Sequence, residues 1–134
     1  MPAHFLATLP NFLAYLGAAV VLLVVFMTIY LYVTPYDEIA LIRTNNMAAA
    51  ISLSGALLGF AMPIANVIAH SDTLLDLAFW GVVAGVVQLL AWGLARVALP
   101  TLQEDIAAGR TAPATFVAAL SITVGLLNAA CMTY

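Results

Sequence analysis

The sequence predicts an all-α integral membrane protein with four transmembrane helices, formed by two parallel two-helix repeats. Three observations carry this reading. Apolar residues make up 66% of the chain and charged residues only 7%, against about half and about a quarter in a soluble domain, so there is too little polar surface to face water. Four apolar stretches, 12–32, 47–69, 74–95 and 113–132, each match the roughly 20 residues that cross about 30 Å of hydrocarbon. The chain also repeats itself: Asp37-Glu38-Ile39-Ala40-Leu41-Ile42-Arg43-Thr44 returns as Glu104-Asp105-Ile106-Ala107-Ala108-Gly109-Arg110-Thr111, each copy just before an apolar segment. The only basic residues are Arg43, Arg96 and Arg110, so the repeat is one of scarce residues. It continues as Ala50-Ile51-Ser52-Leu53-Ser54 and Ala119-Leu120-Ser121-Ile122-Thr123, at a spacing two residues longer. The units are residues 1–70 and 71–134.

The first segment has no arginine or lysine before it, a long apolar run and no small-residue cleavage site after it, so it reads as a retained membrane helix and not a secretion signal. Beyond Ala14, Gly17 and Ala18 it is mostly Val, Leu, Phe and Met, which suits lipid. Pro35 stops it. The link that follows reads as a short interfacial helix, with Tyr36, Ile39 and Ile42 on one face and Asp37, Glu38 and Arg43 in water. The acid-to-arginine spacing of five or six residues is too wide for a one-turn ion pair.

Helices associate in lipid through small residues that let backbones approach and polar groups that bond across the contact. The second segment carries Ala48, Ser52, Gly55, Gly59 and Asn66 on one face, with Pro63 inside it. The third carries Gly81 and Gly85 with Gln88 below, and Pro100 ends it. The fourth aligns Ala114, Ala118, Ser121, Gly125 and Asn128. The second and fourth segments are therefore expected to be the inner pair. Ser52, Asn66, Ser121 and Asn128 either line a polar path between them or supply interhelical hydrogen bonds. Cys131, the single cysteine, reads as a packing residue.

All three arginines sit at the same side of the membrane. The rule that basic residues are retained in the cytoplasm places the links after the first and third segments there, and both termini and the turn at His70-Ser71-Asp72 outside. Two spans per unit give both copies the same topology, so the repeat is parallel and not inverted. No acid lies mid-span, which argues against a proton-coupled exporter. Two histidines and one distant cysteine make no zinc or haem constellation, no phosphate-binding loop or nucleophile elbow is present, and the acidic balance disfavours nucleic acid. The expectation is no cofactor, no metal and no enzymatic activity.

The order acid, acid, Ile, Ala, two residues, Arg, Thr, then Asn45-Asn46-Met47-Ala48-Ala49-Ala50-Ile51-Ser52-Leu53-Ser54-Gly55, together with the closing Gly125-Leu126-Leu127-Asn128-Ala129-Ala130-Cys131-Met132-Thr133, resembles the YjfL-like family of bacterial inner-membrane proteins, a domain of unknown function. The resemblance implies a bacterial plasma-membrane location and a tandem architecture, and marks Arg43, Asn46, Ser52, Gly55, Gly125 and Asn128 as positions that matter. The expected function is an oligomeric pore or membrane scaffold. Its partners are the lipid bilayer and further copies of itself or another membrane protein. The alternative is a small solute or ion transporter with a path between the second and fourth segments. Candidate functional or packing residues are Arg43, Asn46, Ser52, Gly55, Gly59, Asn66, Gln88, Arg110, Ser121, Gly125 and Asn128.

Overall fold

The computed structural model describes residues 2–70 and 73–132. Ser71 and Asp72 of the central turn, and Thr133 of the closing motif, lie outside the described residues. Among those described every element is a helix, in the order α1 (Pro2–Val33), α2 (Glu38–Arg43), α3 (Met47–His70), α4 (Leu74–Ala98), α5 (Leu102–Ala107) and α6 (Thr111–Cys131). The four long helices are each apolar and long enough to cross a membrane. α1 begins ten residues earlier than the first apolar stretch, because the preceding residues are also helix formers and Pro10 is absorbed within the helix.

The core is built on α3. In the most apolar stretch of each span, 56% of α3 is buried, 28% of α4 and of α6, and 6% of α1. α3 is thus the inner helix and α1 faces lipid, as the sequence indicates, but α6 is no more enclosed than α4. The reason is that α3 is gripped from both sides. A methyl group at Gly55 would strike the Ala118 backbone, one at Gly59 the Ser121 carbonyl, and one at Gly125 the Gly59 carbonyl. The two backbones therefore touch, the close approach that small residues permit. On the other side Phe60 stacks on Phe26 of α1, ring centroids 4.3 Å apart, while Gly81 and Gly85 of α4 lie against Leu22 and Phe26.

The two links share a shape. Each is a six-residue helix whose chain then turns through a left-handed residue, Asn45 (φ 69°) or Gly109 (φ 83°), closing paired bonds from Asn46 N–H to the Leu41 carbonyl and from Arg110 N–H to the Asp105 carbonyl, both 2.9 Å, the Schellman pattern. The eight-residue sequence motif does not occupy equivalent places in that shape. Asp37 precedes α2 as its N-cap, whereas Glu104 and Asp105 lie inside α5, whose N-cap is Thr101.

This difference corrects two sequence expectations. Gly109 folds Arg110 back over α5, so its Nη1 pairs with Asp105 Oδ1 at 3.3 Å despite the spacing that excludes such a pair in continuous helix. In α2, Asp37 accepts a bond from Ala40 N–H. Glu38, three and four residues before Leu41 and Ile42, turns with them toward the protein. Glu38 is 1% exposed and Ile39 40%, so these two exchange places relative to the expected face, while Asp37 and Arg43 are exposed and Tyr36 and Ile42 half-buried as expected. Cys131, expected to be a packing residue, is exposed.

Candidate functional site

Glu38 enters a pocket of polar side chains drawn from four helices and the loop before α2. Thr34, just past α1, hydrogen-bonds Glu38 Oε1 at 2.5 Å and also reaches the Tyr30 carbonyl at 3.1 Å. With Glu38 ionised, the Thr34 hydroxyl donates to it. With Glu38 neutral, the carboxyl donates to Thr34, which passes its own proton to the Tyr30 carbonyl. That oxygen is satisfied in both states. The other, Oε2, is buried without a partner, and Tyr30 Oη, Tyr36 Oη, Ser52 Oγ and Trp92 Nε1 are buried too, with no well-aligned hydrogen bond. Tyr30, Ser52 and Trp92 are 1%, 1% and 5% exposed. The Ser52 hydroxyl lies in hydrogen-bonding range of both tyrosine hydroxyls, and the Trp92 N–H in range of Tyr36 Oη. Buried polar groups almost always have partners, and Glu38 Oε2 is the carboxylate oxygen among the described residues that is buried without one.

Burial pushes the Glu38 carboxyl up to about 7, with Asp37 adding to the rise and the Thr34 hydrogen bond opposing it. Burial and the negative charge of Glu38 also raise the Tyr36 hydroxyl, against the Trp92 and Ser52 hydrogen bonds and the more distant Arg96. Arg96 is itself exposed and sits over the Trp92 ring, 5.1 Å from its centroid. The position of Glu38 is informative by comparison with the other link, where the first residue of α5 is Leu102, 1% exposed. An apolar residue fills that place there, so the fold itself has no need of a carboxylate.

The residues singled out from sequence divide between this cluster and the packing of the bundle. Ser52 belongs to the cluster. Gly55, Gly59 and Gly125 form the α3–α6 contact. Gln88 donates to the Ser121 carbonyl at 3.0 Å, leaving its own Oε1 unpartnered. Asn66 donates to the Ala129 carbonyl at 2.8 Å, and the amide nitrogen of Asn128 has no partner. These bonds tie α6 to α3 through Asn66 and to α4 through Gln88. Arg43 is exposed at the end of α2, and Arg110 makes its pair with Asp105.

Asn46 joins the two links. Its Oδ1 caps α3 by accepting from Ala49 N–H at 3.0 Å, and its Nδ2 donates to the Ile106 and Ala107 carbonyls that end α5, at 2.9 and 3.3 Å. Asn46→Ala should lower stability by about 1–2 kcal/mol, the sum of a lost cap and a lost bond. Asn46→Asp keeps the cap but sets a negative charge against those carbonyls, and should be the more harmful of the two in thermal unfolding.

Sequence reasoning missed Glu38, Thr34 and Trp92 and took Tyr36 as apolar cover. The available signal was the i, i+3, i+4 relation of Glu38 to Leu41 and Ile42, which places it on the apolar face.

The profile of the family described as Domain of Unknown Function (DUF350) matches residues 4–132. The chain is 37% identical to the UPF0719 inner membrane protein YjfL of Escherichia coli (strain K12) over 131 residues, 98% of this chain and 99% of that one. It is 32% identical to the UPF0719 transmembrane protein YshE of Bacillus subtilis (strain 168) over 92 residues, 69% of each. No solved structure matches. With four membrane-length helices and a match over nearly its whole length, the chain belongs to the DUF350 family, as a bacterial-type multi-pass membrane protein.

Proposed function

We propose that the protein is a non-enzymatic integral membrane protein that works as a homo-oligomer, building a pore or a scaffold between copies and not through its own four-helix interior. The observation that carries this is the backbone contact of Gly59 with Gly125, which leaves the centre of one chain filled. The sequence argument for self-association counted glycine and serine faces, and most of those are spent inside the bundle. What is left for other copies is the long face of α1, where Phe12, Leu13, Leu16, Val20 and Val24 are exposed and a methyl at Gly17 would meet nothing within 4 Å. Native mass spectrometry from nanodiscs should give a multimer of fixed copy number. A monomer in nanodiscs and in mild detergent alike would overturn this reading.

A second reading, a transporter, is favoured by one observation: the unpartnered Asn128 amide near a recess lined by Asn66, His70, Ala129, Ala130 and Met132. In liposomes under an imposed gradient it predicts flux that Asn128→Leu abolishes while the protein still inserts. Equal flux by the variant would remove Asn128 from the mechanism.

A further inference from the structure

Between α1 and α4 the outer surface of the bundle is hollow. Val25 and Ile29 of α1 and Val82 and Val86 of α4 are exposed along a groove of about 150 Å³, whose inner wall includes the buried rings of Phe26 and Phe60. Gly81 and Gly85 leave the α4 side of it bare. A methyl at Gly81 would strike Leu22, and one at Gly85 would meet Phe26 at 3.6 Å. An apolar hollow of this size takes about six carbon atoms, as in one benzene ring. It is too small for a helix, which is about 10 Å across. In a bilayer the occupant of matching section is a run of methylenes.

The groove leads to a cation. Arg96, in the last turn of α4, follows Gly85 and Leu89 by three turns and two, and so lies on the same face of the helix. At 1.5 Å per residue it stands about 10 Å beyond Leu89 and about 16 Å beyond Gly85, the latter close to half of the roughly 30 Å hydrocarbon layer. The guanidinium is exposed and is held over the Trp92 ring, 5.1 Å from its centroid. Among the described residues it has no acidic partner. Asp37 caps α2, Glu38 is bonded by Thr34, Asp105 pairs with Arg110, Glu104 is exposed on α5 and Asp76 lies at the other end of α4. An unpaired guanidinium at the membrane edge presents a fork of donors that matches a phosphate, and basic sites between transmembrane helices take anionic head groups.

We propose that Arg96 and the α1–α4 groove form one binding site for an anionic phospholipid, with its phosphate on the guanidinium and one acyl chain running down α4 into the groove. A chain that hangs from Arg96 crosses its own leaflet and ends against Gly85, near the bilayer centre. The charge of Arg96 selects the head group, because a zwitterionic lipid brings its own cation to the phosphate and gains less from a second. The site is independent of the face proposed for self-association. At 3.6 residues per turn, Val25 and Ile29 lie on the opposite side of α1 from Leu16 and Val20.

Full-length protein stripped of lipid in mild detergent is titrated with phosphatidylglycerol, or with phosphatidylcholine of identical chains, and bound lipid per chain is counted by native mass spectrometry. The expected result is saturation at one phosphatidylglycerol per chain, with phosphatidylcholine about fivefold weaker. Arg96→Gln should bring phosphatidylglycerol down to the level of phosphatidylcholine. Val86→Phe, which lays a ring across the groove, should weaken both lipids alike. Both positions are exposed, so both variants should unfold with the wild type in detergent alone. Glycerol phosphate, the head group without chains, should not compete. Equal affinity of the wild type for the two lipids, or adducts that accumulate without saturating as an ordinary lipid coat does, would overturn the proposal without recourse to any variant. Unchanged binding by Arg96→Gln or by Val86→Phe would overturn it as well, as would competition by glycerol phosphate. A multimer that takes up no phosphatidylglycerol would mean that a second copy fills the groove, which also overturns it.

Discussion

Gly125→Ala is expected to cost the fold about 3 kcal/mol, at the upper end of what an added core methyl usually costs, and to lower the thermal unfolding midpoint in detergent accordingly. The new carbon would collide with the Gly59 carbonyl and its neighbouring backbone atoms. A side chain can rotate away from such a contact, but here relief requires α3 and α6 to separate, which also strips the Gln88 and Asn66 bonds that cross between helices. Gly93→Ala is the matched control. It lies in α4 with nothing within 4 Å of the added carbon, and alanine's better helix propensity makes it neutral or stabilising by up to about 1 kcal/mol. If the two variants unfold together, the α3–α6 contact is not what holds the bundle.

The second large effect is a dependence of stability on pH that runs opposite to ordinary acid denaturation. Glu38 titrates at about 7 in the folded protein, against an ordinary value of 4.5. The folded chain therefore holds this proton more tightly than the unfolded chain does. Its contribution is full below about pH 4.5, falls as pH rises, and is lost above about 7. The separation corresponds to at most about 3 kcal/mol, reduced to about 2 by screening at the membrane edge. Unfolding midpoints measured from about pH 5 to about pH 8 in choline buffer should decline by this amount. Glu38→Gln should flatten the profile. Glu38→Leu, which copies the residue that Leu102 places at the head of α5, should be the most stable form at high pH, in line with the gains seen when buried charges become apolar. A wild-type profile as flat as that of Glu38→Gln would mean the carboxyl is hydrated.

The parts of the molecule that were legible in the sequence are those where many residues vote together. Four spans follow from long apolar runs, the ends of α1 and α4 from Pro35 and Pro100, and the packing faces of α3 and α6 from small residues spaced over several turns. The link helices are six residues long, too short for periodicity to fix their rotation, so which of Asp37 and Glu38 faced water rested on one residue's capping bond. The Arg110–Asp105 pair depended likewise on a single left-handed glycine. Nothing in the local sequence of Tyr30 shows that it meets Ser52, or in that of Trp92 that it meets Tyr36. The site was hidden for a physical reason: it brings Ser52 and Trp92, each on another helix, to the stretch from Tyr30 to Glu38.

The thin burial of α1 bears on how the protein is made. α1 leaves the ribosome first, yet its neighbours are α3 and α4, and the tightest pairing, α3 with α6, joins the second span to the last. α1 must therefore reside in lipid as an isolated helix, stable there because its backbone bonds are internal and its surface is apolar. α3 enters with its glycine face unmet until α6 has been made. Arrival of α6, and not insertion of any earlier helix, is the event that commits the bundle to its final arrangement.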